Sequence, residues 1–348
     1  MKVLIAMSGG VDSSVAAMLL QEMGYELIGV TFQNRIISAD SEHNAIEEAH
    51  SLAQKMGMKH LVIDVQDYFN KTVIQNFTNE YLHGRTPNPC TVCNYWIKWG
   101  ALWKIAEEQH CQKLATGHYA RIGEQNGRFF IRKGADIVKD QSYFLWKLSQ
   151  DHLKNTIFPL GDYTKPEVKK IAEKLGFVNL SQKKESQEIC FIPDNDYRSF
   201  LSANVPNYAD FCKIGNFEDT SGKVIGQHQG YPNYTIGQRK GLGIALGVPA
   251  YVVAIRPEQN VVVLGKKEDL AGKFCRLSEV NLMKYATVPD DFHCTVRIRY
   301  RSHGEKARIF ADEKGFCCEF ENPVESITLG QSAVLYEGED VIGGGVIS

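Results

Sequence analysis

Short apolar runs and amphipathic stretches alternate through the first half of the chain. Lys2 to Met7 holds an apolar run of strand length, and Val11 to Met23 follows with Val15, Met18, Leu19 and Met23 at helical spacing. Glu26 to Phe32 reads as a second strand. Ala45, Ile46, Ala49, Leu52, Ala53 and Met56 fall at i, i+3 and i+4, which predicts a helix over 41–56. A third strand over His60 to Val65 precedes a helix reaching about His83. A helix carrying Trp99, Leu102, Trp103 and Ile105 then leads into a fourth strand, Lys113 to Thr116. Strands alternating with helices predict an α/β fold on a doubly wound parallel sheet.

Beyond about residue 200 the pattern changes. Gly215, Gly222, Gly226, Gly230, Gly237, Gly241, Gly243 and Gly247 punctuate short β-like runs such as Tyr251 to Ile255 and Val261 to Leu264. From Cys294 to Val346 the chain alternates strand-like segments with turns at Glu313-Lys314-Gly315 and Gly338-Glu339-Asp340. The expected organisation is an α/β domain over 1–200, a small glycine-rich β domain over 201–268 and a β-barrel-like domain over 269–348.

Composition narrows the class. The 348 residues are 43% hydrophobic and 23% charged, as in a globular chain, and no apolar run approaches the ~20 residues a membrane span needs. Net charge is −2, so any nucleic-acid-binding face must be local. Nine cysteines, an odd number, without a targeting segment point to a reducing cytoplasm rather than a disulfide framework.

Ser8-Gly9-Gly10-Val11-Asp12-Ser13-Ser14 joins the first strand to the first helix. Its glycines let the backbone turn N–H groups toward an anion, and the helix N-terminus adds free donors and a positive dipole end. Ser8, Ser13 and Ser14 add hydroxyls, and Asp12 can hold Mg2+ through oxygen. No Gly-Lys-Ser/Thr follows, so this is not a Walker A loop. The string resembles the pyrophosphatase loop of the ATP-pyrophosphatase (PP-loop) superfamily, with its Rossmann-like domain. That resemblance implies ATP binding by Ala6, Met7, Ser8, Gly9, Gly10, Val11, Asp12 and Ser13. Phe32 and Gly117 close the expected site, because ligands of such sheets lie beyond the carboxyl ends of the strands.

A second stretch, Arg85-Thr86-Pro87-Asn88-Pro89-Cys90-Thr91-Val92-Cys93, places a thiol at or near the start of a helix, where the terminal field favours thiolate. A distant third cysteine stands in Glu185-Ser186-Gln187-Glu188-Ile189-Cys190-Phe191-Ile192. With Ala115-Thr116-Gly117-His118-Tyr119, Lys139-Asp140-Gln141-Ser142-Tyr143, Thr235-Ile236-Gly237-Gln238-Arg239-Lys240-Gly241 and Gly330-Gln331-Ser332, these stretches resemble the tRNA-specific 2-thiouridylase family along nearly the whole chain. The resemblance implies that ATP adenylates O2 of a wobble uridine and that sulfur then reaches C2, giving 2-thiouridine, AMP and pyrophosphate. It implies Cys190 as the persulfide carrier and Cys93 as the nucleophile that completes transfer. Asn88, Pro89 and Cys90 would face the target base, and a sulfur carrier protein or cysteine desulfurase would donate the persulfide.

Many members of that family carry aspartate where this chain has Cys90, so no general-base role passes to Cys90. Cys90, Cys93 and Cys190 leave three readings open: persulfide chemistry without metal, a 4Fe–4S cluster with one open iron, or a zinc or packing role. Cys111, Cys212, Cys275, Cys294, Cys317 and Cys318 read as small buried hydrophobes. Arg297, Arg299 and Arg301 alternate with Val296, Ile298 and Tyr300, which predicts a strand with one basic face, extended by Lys306 and Arg308. The resemblance assigns tRNA contact to Arg299 and Tyr300 and to Lys139, Asp140 and Gln141.

Overall fold

The computed structural model describes residues 1–34, 39–177, 189–192, 194–244, 247–289, 291–312 and 315–348. Glu185 to Glu188 and the turn residues Glu313 and Lys314 lie outside the described residues. The first half contributes strands β1 (Lys2–Ala6), β2 (Glu26–Gln33), β3 (Lys59–Asp64), β4 (Lys113–Ala115), β5 (Ala120–Gln125), β6 (Arg128–Lys133) and β7 (Thr156–Ile157). Five of these form one parallel sheet in the order β3-β2-β1-β4-β7. Its helices include α1 (Val11–Glu22), α2 (Ala39–Lys55), a helical stretch α3 over 66–82, a longer one α4 over 89–108, and α5 (Lys165–Lys174).

The period of two along β1 sends its residues to opposite faces. Val3 and Ile5 pack with Val15, Ala16 and Leu19 of α1 and Val168 of α5, while Leu4 packs with Trp99, Leu102 and Ile105 of α4. Both faces are therefore covered by helices, as an all-parallel sheet requires. The strand order reverses at β1, and the crevice between the ends of β1 and β4 is where such sheets bind ligands. Helix α6 (Tyr197–Asn204) runs across residue 200 and packs Leu201 with Phe77 and Phe191.

The remainder is β-rich. Strands β8 (Gly215–Asp219), β9 (Val224–His228), β10 (Tyr251–Arg256) and β11 (Val261–Gly265) form a small sheet in the order β10-β11-β8-β9. Strands β12 (Ala271–Leu282), β13 (Phe292–Arg297), β14 (Glu305–Asp312), β15 (Gly315–Glu325), β16 (Ser332–Glu337) and β17 (Asp340–Ile347) follow. They close an antiparallel barrel through the β12–β17 pairing.

The β5–β6 hairpin, though it belongs to the first half of the chain, extends this barrel sheet, with Arg132 opposite Asp340. Trp146 is fully buried in a cluster that also holds Val334, Tyr336 and Val341 of the barrel, and Gly344 brings the barrel backbone against its indole. Removing such a side chain from water contributes about 4–6 kcal/mol on area grounds. Among the described residues, no helix is long and apolar enough to cross a membrane.

Candidate active site

A cavity of about 370 Å³ opens at the carboxyl ends of β1, β2 and β4. Its wall includes Ala6, Met7, Ser8, Asp12, Ser13, Phe32 and Gly117, which loops from three separate strands bring together, as well as Thr31, Lys98, Thr116, His118 and Gln141. A wider depression of about 460 Å³ in the glycine-rich loop is lined by Arg239 and otherwise by glycines and apolar residues from Gly241 to Ala250. It lacks the converging polar groups that mark a ligand site, so the chemistry belongs to the first.

The loop at the cavity floor owes its shape to glycine and serine. Gly9 takes φ +67, and a Cβ there would lie 2.5 Å from the Ala45 carbonyl oxygen. The Ser13 and Ser14 hydroxyls donate to the Gly10 carbonyl at 3.1 and 2.9 Å, and the Ser8 N–H donates to Ser13 Oγ at 3.1 Å. Gly117 crosses directly over this loop: a Cβ on it would stand 2.9 Å from Asp12 C and Ser13 N. Asp12 accepts from Lys165 Nζ at 2.7 and 2.8 Å and from the Tyr119 hydroxyl at 2.7 Å. Lys165 is nearly buried and its backbone N–H is capped by buried Asp136 at 2.8 Å.

On the other side of the cavity, Lys98 Nζ lies 3.2 Å from His118 Nε2, and His118 Nδ1 lies 2.6 Å from Thr116 Oγ1. Burial, with the Lys98 charge second, holds His118 well below its ordinary 6.5, so the imidazole is neutral. An ammonium can only donate. Nε2 therefore accepts from Lys98, and the Nδ1–H donates to Thr116. Neither Lys98 nor Lys165 was singled out from sequence. Lys165 follows a plain helix-start signal, Thr-Lys-Pro, and nothing local to it announces a carboxylate partner more than 150 residues away.

The cysteine loops converge because of apolar anchors. Phe191 is buried against Phe69, Phe77 and Phe200, with ring centroids 5.2–5.9 Å apart, and Ile189, Val92 and Cys93 pack on the same cluster. Cys190, between Ile189 and Phe191, is left accessible. Helix α4 starts at Pro89, with Asn88 as its cap through Thr91 N–H at 3.4 Å, so Cys90 lies in the first turn and Cys93 beyond it. The barrel braces this loop. Gln331 Nε2 donates to the Thr86 and Pro87 carbonyls at 3.0 and 2.8 Å, Thr86 N–H donates to the Leu329 carbonyl, and Asn88 Nδ2 donates to Ser332 Oγ at 3.2 Å.

This geometry corrects the expected thiolate at Cys93. The terminal field fades within the first turn, and desolvation dominates. Cys90 and Cys190 are accessible yet stand deep in surrounding protein, and Cys93 is half-buried. Burial pushes Cys93 up to about 12, against the pull of Lys98. Burial and the neighbouring Cys190 push Cys90 up to about 11. Burial raises Cys190 as well, again opposed by Lys98. The three thiols act on one another electrostatically, but among the described residues no three His, Cys, Asp or Glu side chains are gathered as a metal-ligand set. The three cysteines as placed do not fit a cluster or zinc.

The basic strand is also corrected. Strand β13 ends at Arg297, and Arg299 and Arg301 follow in a turn segment. Val296 and Ile298 are buried as expected, but Arg297 pairs with Asp140 at 3.5 Å. Arg299 donates to Thr328 Oγ1 at 2.8 Å and to the Ile236 carbonyl at 3.3 Å, tying the barrel to the small β sheet's loop. Of the residues expected at tRNA, Asp140 is buried and accepts from Gly134 N–H and from the Ser142 N–H and hydroxyl. Gln141 lies on the cavity wall and accepts from Tyr119 N–H. Lys139 and Tyr300 are half-buried, the latter against Phe144. Of the six remaining cysteines, Cys212 and Cys294 are only partly buried; Cys111, Cys275, Cys317 and Cys318 are buried as expected.

Comparison with known proteins assigns this architecture. Residues 1–194 match the tRNA methyl transferase HUP domain, 202–266 the tRNA methyl transferase PRC-barrel domain and 273–347 the aminomethyltransferase beta-barrel domain. The tRNA-specific 2-thiouridylase of Amoebophilus asiaticus is 46% identical over 99% of this chain and 95% of its own. That of Salinibacter ruber is 44% identical over 99% and 94%. A solved U34-tRNA thiolase from Methanococcus maripaludis, described with its 4Fe–4S cluster, aligns over 60% of this chain and 65% of its own at 24% identity and a TM-score of 0.38. The family descriptions speak of methyl transfer and the relatives' names of thiolation. The chain belongs to the tRNA-specific 2-thiouridylase family, sulfurtransferases that act on tRNA uridine.

Proposed function

We propose that the enzyme adenylates O2 of the wobble uridine with ATP and then replaces it with sulfur from a persulfide on Cys190. The observation that carries the reading is the cavity itself, where the Ser8–Ser13 loop, Phe32 and Gly117 meet on a wall that also bears Lys98, the cation whose charge acts on all three thiols. The α1 N-terminus and loop N–H groups take the phosphates, and Phe32 lies along the base. Asp12 accepts three hydrogen bonds and so keeps about one lone-pair position for Mg2+, an ion that binds through one or two carboxylates plus phosphate oxygens and water. The ion would neutralise pyrophosphate as it leaves.

Uridine O2 attacks the α-phosphorus, pyrophosphate departs, and the N3 proton is lost. The Cys190 persulfide sulfur then bonds to C2 and AMP leaves. Cys93 attacks Cys190 Sγ, breaking the Sγ–S bond, leaving the sulfur on uridine and a Cys93–Cys190 disulfide that a dithiol reductant must reopen. In the alternative order Cys93 frees hydrosulfide first, with the same disulfide as product. No step passes through a metal cluster. Asn88, Pro89 and Cys90 border the base. Lys139 and Tyr300 contact tRNA, and Arg299 supports that face from within. The persulfide comes from a sulfur carrier or cysteine desulfurase in the cytoplasm.

The test is stoichiometry. With unmodified tRNA, ATP and a persulfide donor, the enzyme should form one AMP and one 2-thiouridine per turnover, read by nucleoside mass spectrometry. Thiolation without AMP would overturn the reading. Gly117→Ala tests the cavity: the new methyl has only backbone to displace, so thermal unfolding should show a loss of about 1–3 kcal/mol. ATP titration should show weakened binding.

A further inference from the structure

We propose that Lys98 serves both halves of the reaction: its ammonium, aimed by His118, stabilises negative charge on the transferred phosphate and on the reacting sulfur. The inference rests on the adenylation and persulfide reading above and adds a residue to it. Three observations carry it.

The first is position. Lys98 is on the wall of the cavity that holds the phosphate loop, and it is the cation that pulls on Cys90, Cys93 and Cys190 alike. One flexible side chain therefore spans the two half-sites.

The second is the backbone. Residues 94–101 of α4 form a π-helical segment, its bonds closing over five residues rather than four. In an α-helix residues five apart are about 140° away from each other around the axis, so Lys98 would point away from Cys93. The wider turn returns position 98 to the side of position 93. Such turns cost helix regularity, and here the distortion turns position 98 toward the side of the helix that bears Cys93.

The third is what Lys98 is bonded to. Lys165, the other lysine at the site, is neutralised by Asp12 at 2.7 Å. Lys98 donates instead to an uncharged imidazole, and among the described residues no carboxylate pairs with it. His118 is itself fixed by Thr116 and by Trp99 and Phe158, with ring centroids 5.7 and 6.0 Å away. A neutral acceptor orients the ammonium without cancelling its charge, which leaves the full charge for ligand and sulfur. Lys98 forms and breaks no covalent bond; its contribution is electrostatic, of the kind that is largest in a water-poor site.

The experiment uses Lys98→Met, which keeps the unbranched apolar stem and removes the ammonium, and Lys98→Arg, which keeps the charge. In the full-length enzyme without ATP or tRNA, iodoacetamide alkylation of Cys93 and Cys190 is followed by peptide mass spectrometry across a pH series. Lys98→Met should slow alkylation at neutral pH about tenfold and move its profile to higher pH, since losing a nearby cation disfavours thiolate. With ATP and tRNA, AMP release should fall about 10²-fold, mostly in kcat. Lys98→Arg should recover most of both, which a merely structural role would not give. Unchanged alkylation, or AMP release within twofold of the unsubstituted enzyme, overturns the dual role. Equal losses in Lys98→Arg and Lys98→Met overturn the electrostatic account. If the unsubstituted enzyme itself makes no AMP, the adenylation reading has failed, and the alkylation arm still reports on the charge at the thiols.

Discussion

Cys190→Ser enzyme should bind ATP and tRNA, release AMP when both are present, and place no sulfur on uridine. Serine cannot hold a persulfide, and Cys190 is an accessible thiol in Ile-Cys-Phe-Ile, a segment anchored by buried Phe191 and Ile192 with Ile189 partly buried. The anchors Phe191 and Ile192 stay in place, so folding should be unaffected. Cys93→Ser should accept persulfide on Cys190 and stop there, with sulfur trapped on protein or as a mixed disulfide with tRNA. Single-turnover thiolation with sulfur counted on tRNA and on protein separates the two. Cys90→Ser should lower the rate only modestly, because Cys90 neighbours the reacting thiols without a bond to make. Full activity in Cys190→Ser would overturn the persulfide route, and near-complete loss in Cys90→Ser would restore a three-thiolate cluster.

Asp12→Ala should abolish AMP formation, by about 10³-fold or more, while tRNA binding in a filter assay stays close to normal. Two losses combine. The oxygen that would meet Mg2+ is gone, and nearly buried Lys165 loses its carboxylate. Stranding a buried ammonium costs several kcal/mol, but Asp12 is about a third exposed, so about 1–3 kcal/mol of stability is expected here. Asp12→Asn separates the effects: the Tyr119 hydrogen bond can persist, the ion pair cannot, and AMP formation should remain lost. Pyrophosphate release at the original rate in either variant would place the metal and phosphates elsewhere.

The parts legible in the sequence are those determined by short-range periodicity. Val3, Leu4 and Ile5 bury both faces of one strand, and the helices that cover it show their apolar stripes in sequence. Ser8 to Ser14 declared its own turn, because two glycines and three hydroxyls have few other uses between a strand and a helix. The β5–β6 hairpin was not legible, since its place in the barrel depends on pairing Arg132 with Asp340, some 200 residues on. The alternation at 296–300 was genuine in its burial yet misleading as a strand, because Arg297 and Arg299 are drawn inward by Asp140 and Thr328. The state of Cys93 was misjudged for a similar reason. A helix start is visible in a sequence, whereas the depth of protein around a thiol is not. Lys98 was missed because an α-helical wheel turns it away from Cys93, and only the π-helical turn brings it back.

The clamp by Gln331 and Ser332 on the cysteine loop bears on when this enzyme becomes competent during its own synthesis. The cavity wall comes from residues up to Gln141 and the partner of Asp12 from Lys165, so the pocket can form early, as N-terminal units do while a chain is still emerging. The loop from Thr86 to Asn88 gains its braces only after residues 329–332 have been made. Trp146 is covered, and the free edge of β6 paired, only when β17 arrives. A ribosome-bound intermediate would thus hold a nucleotide-ready pocket beside an unbraced thiol loop. On the proposed persulfide route, sulfur transfer would thereby wait until residues 329–332 have been made and folded against the thiol loop.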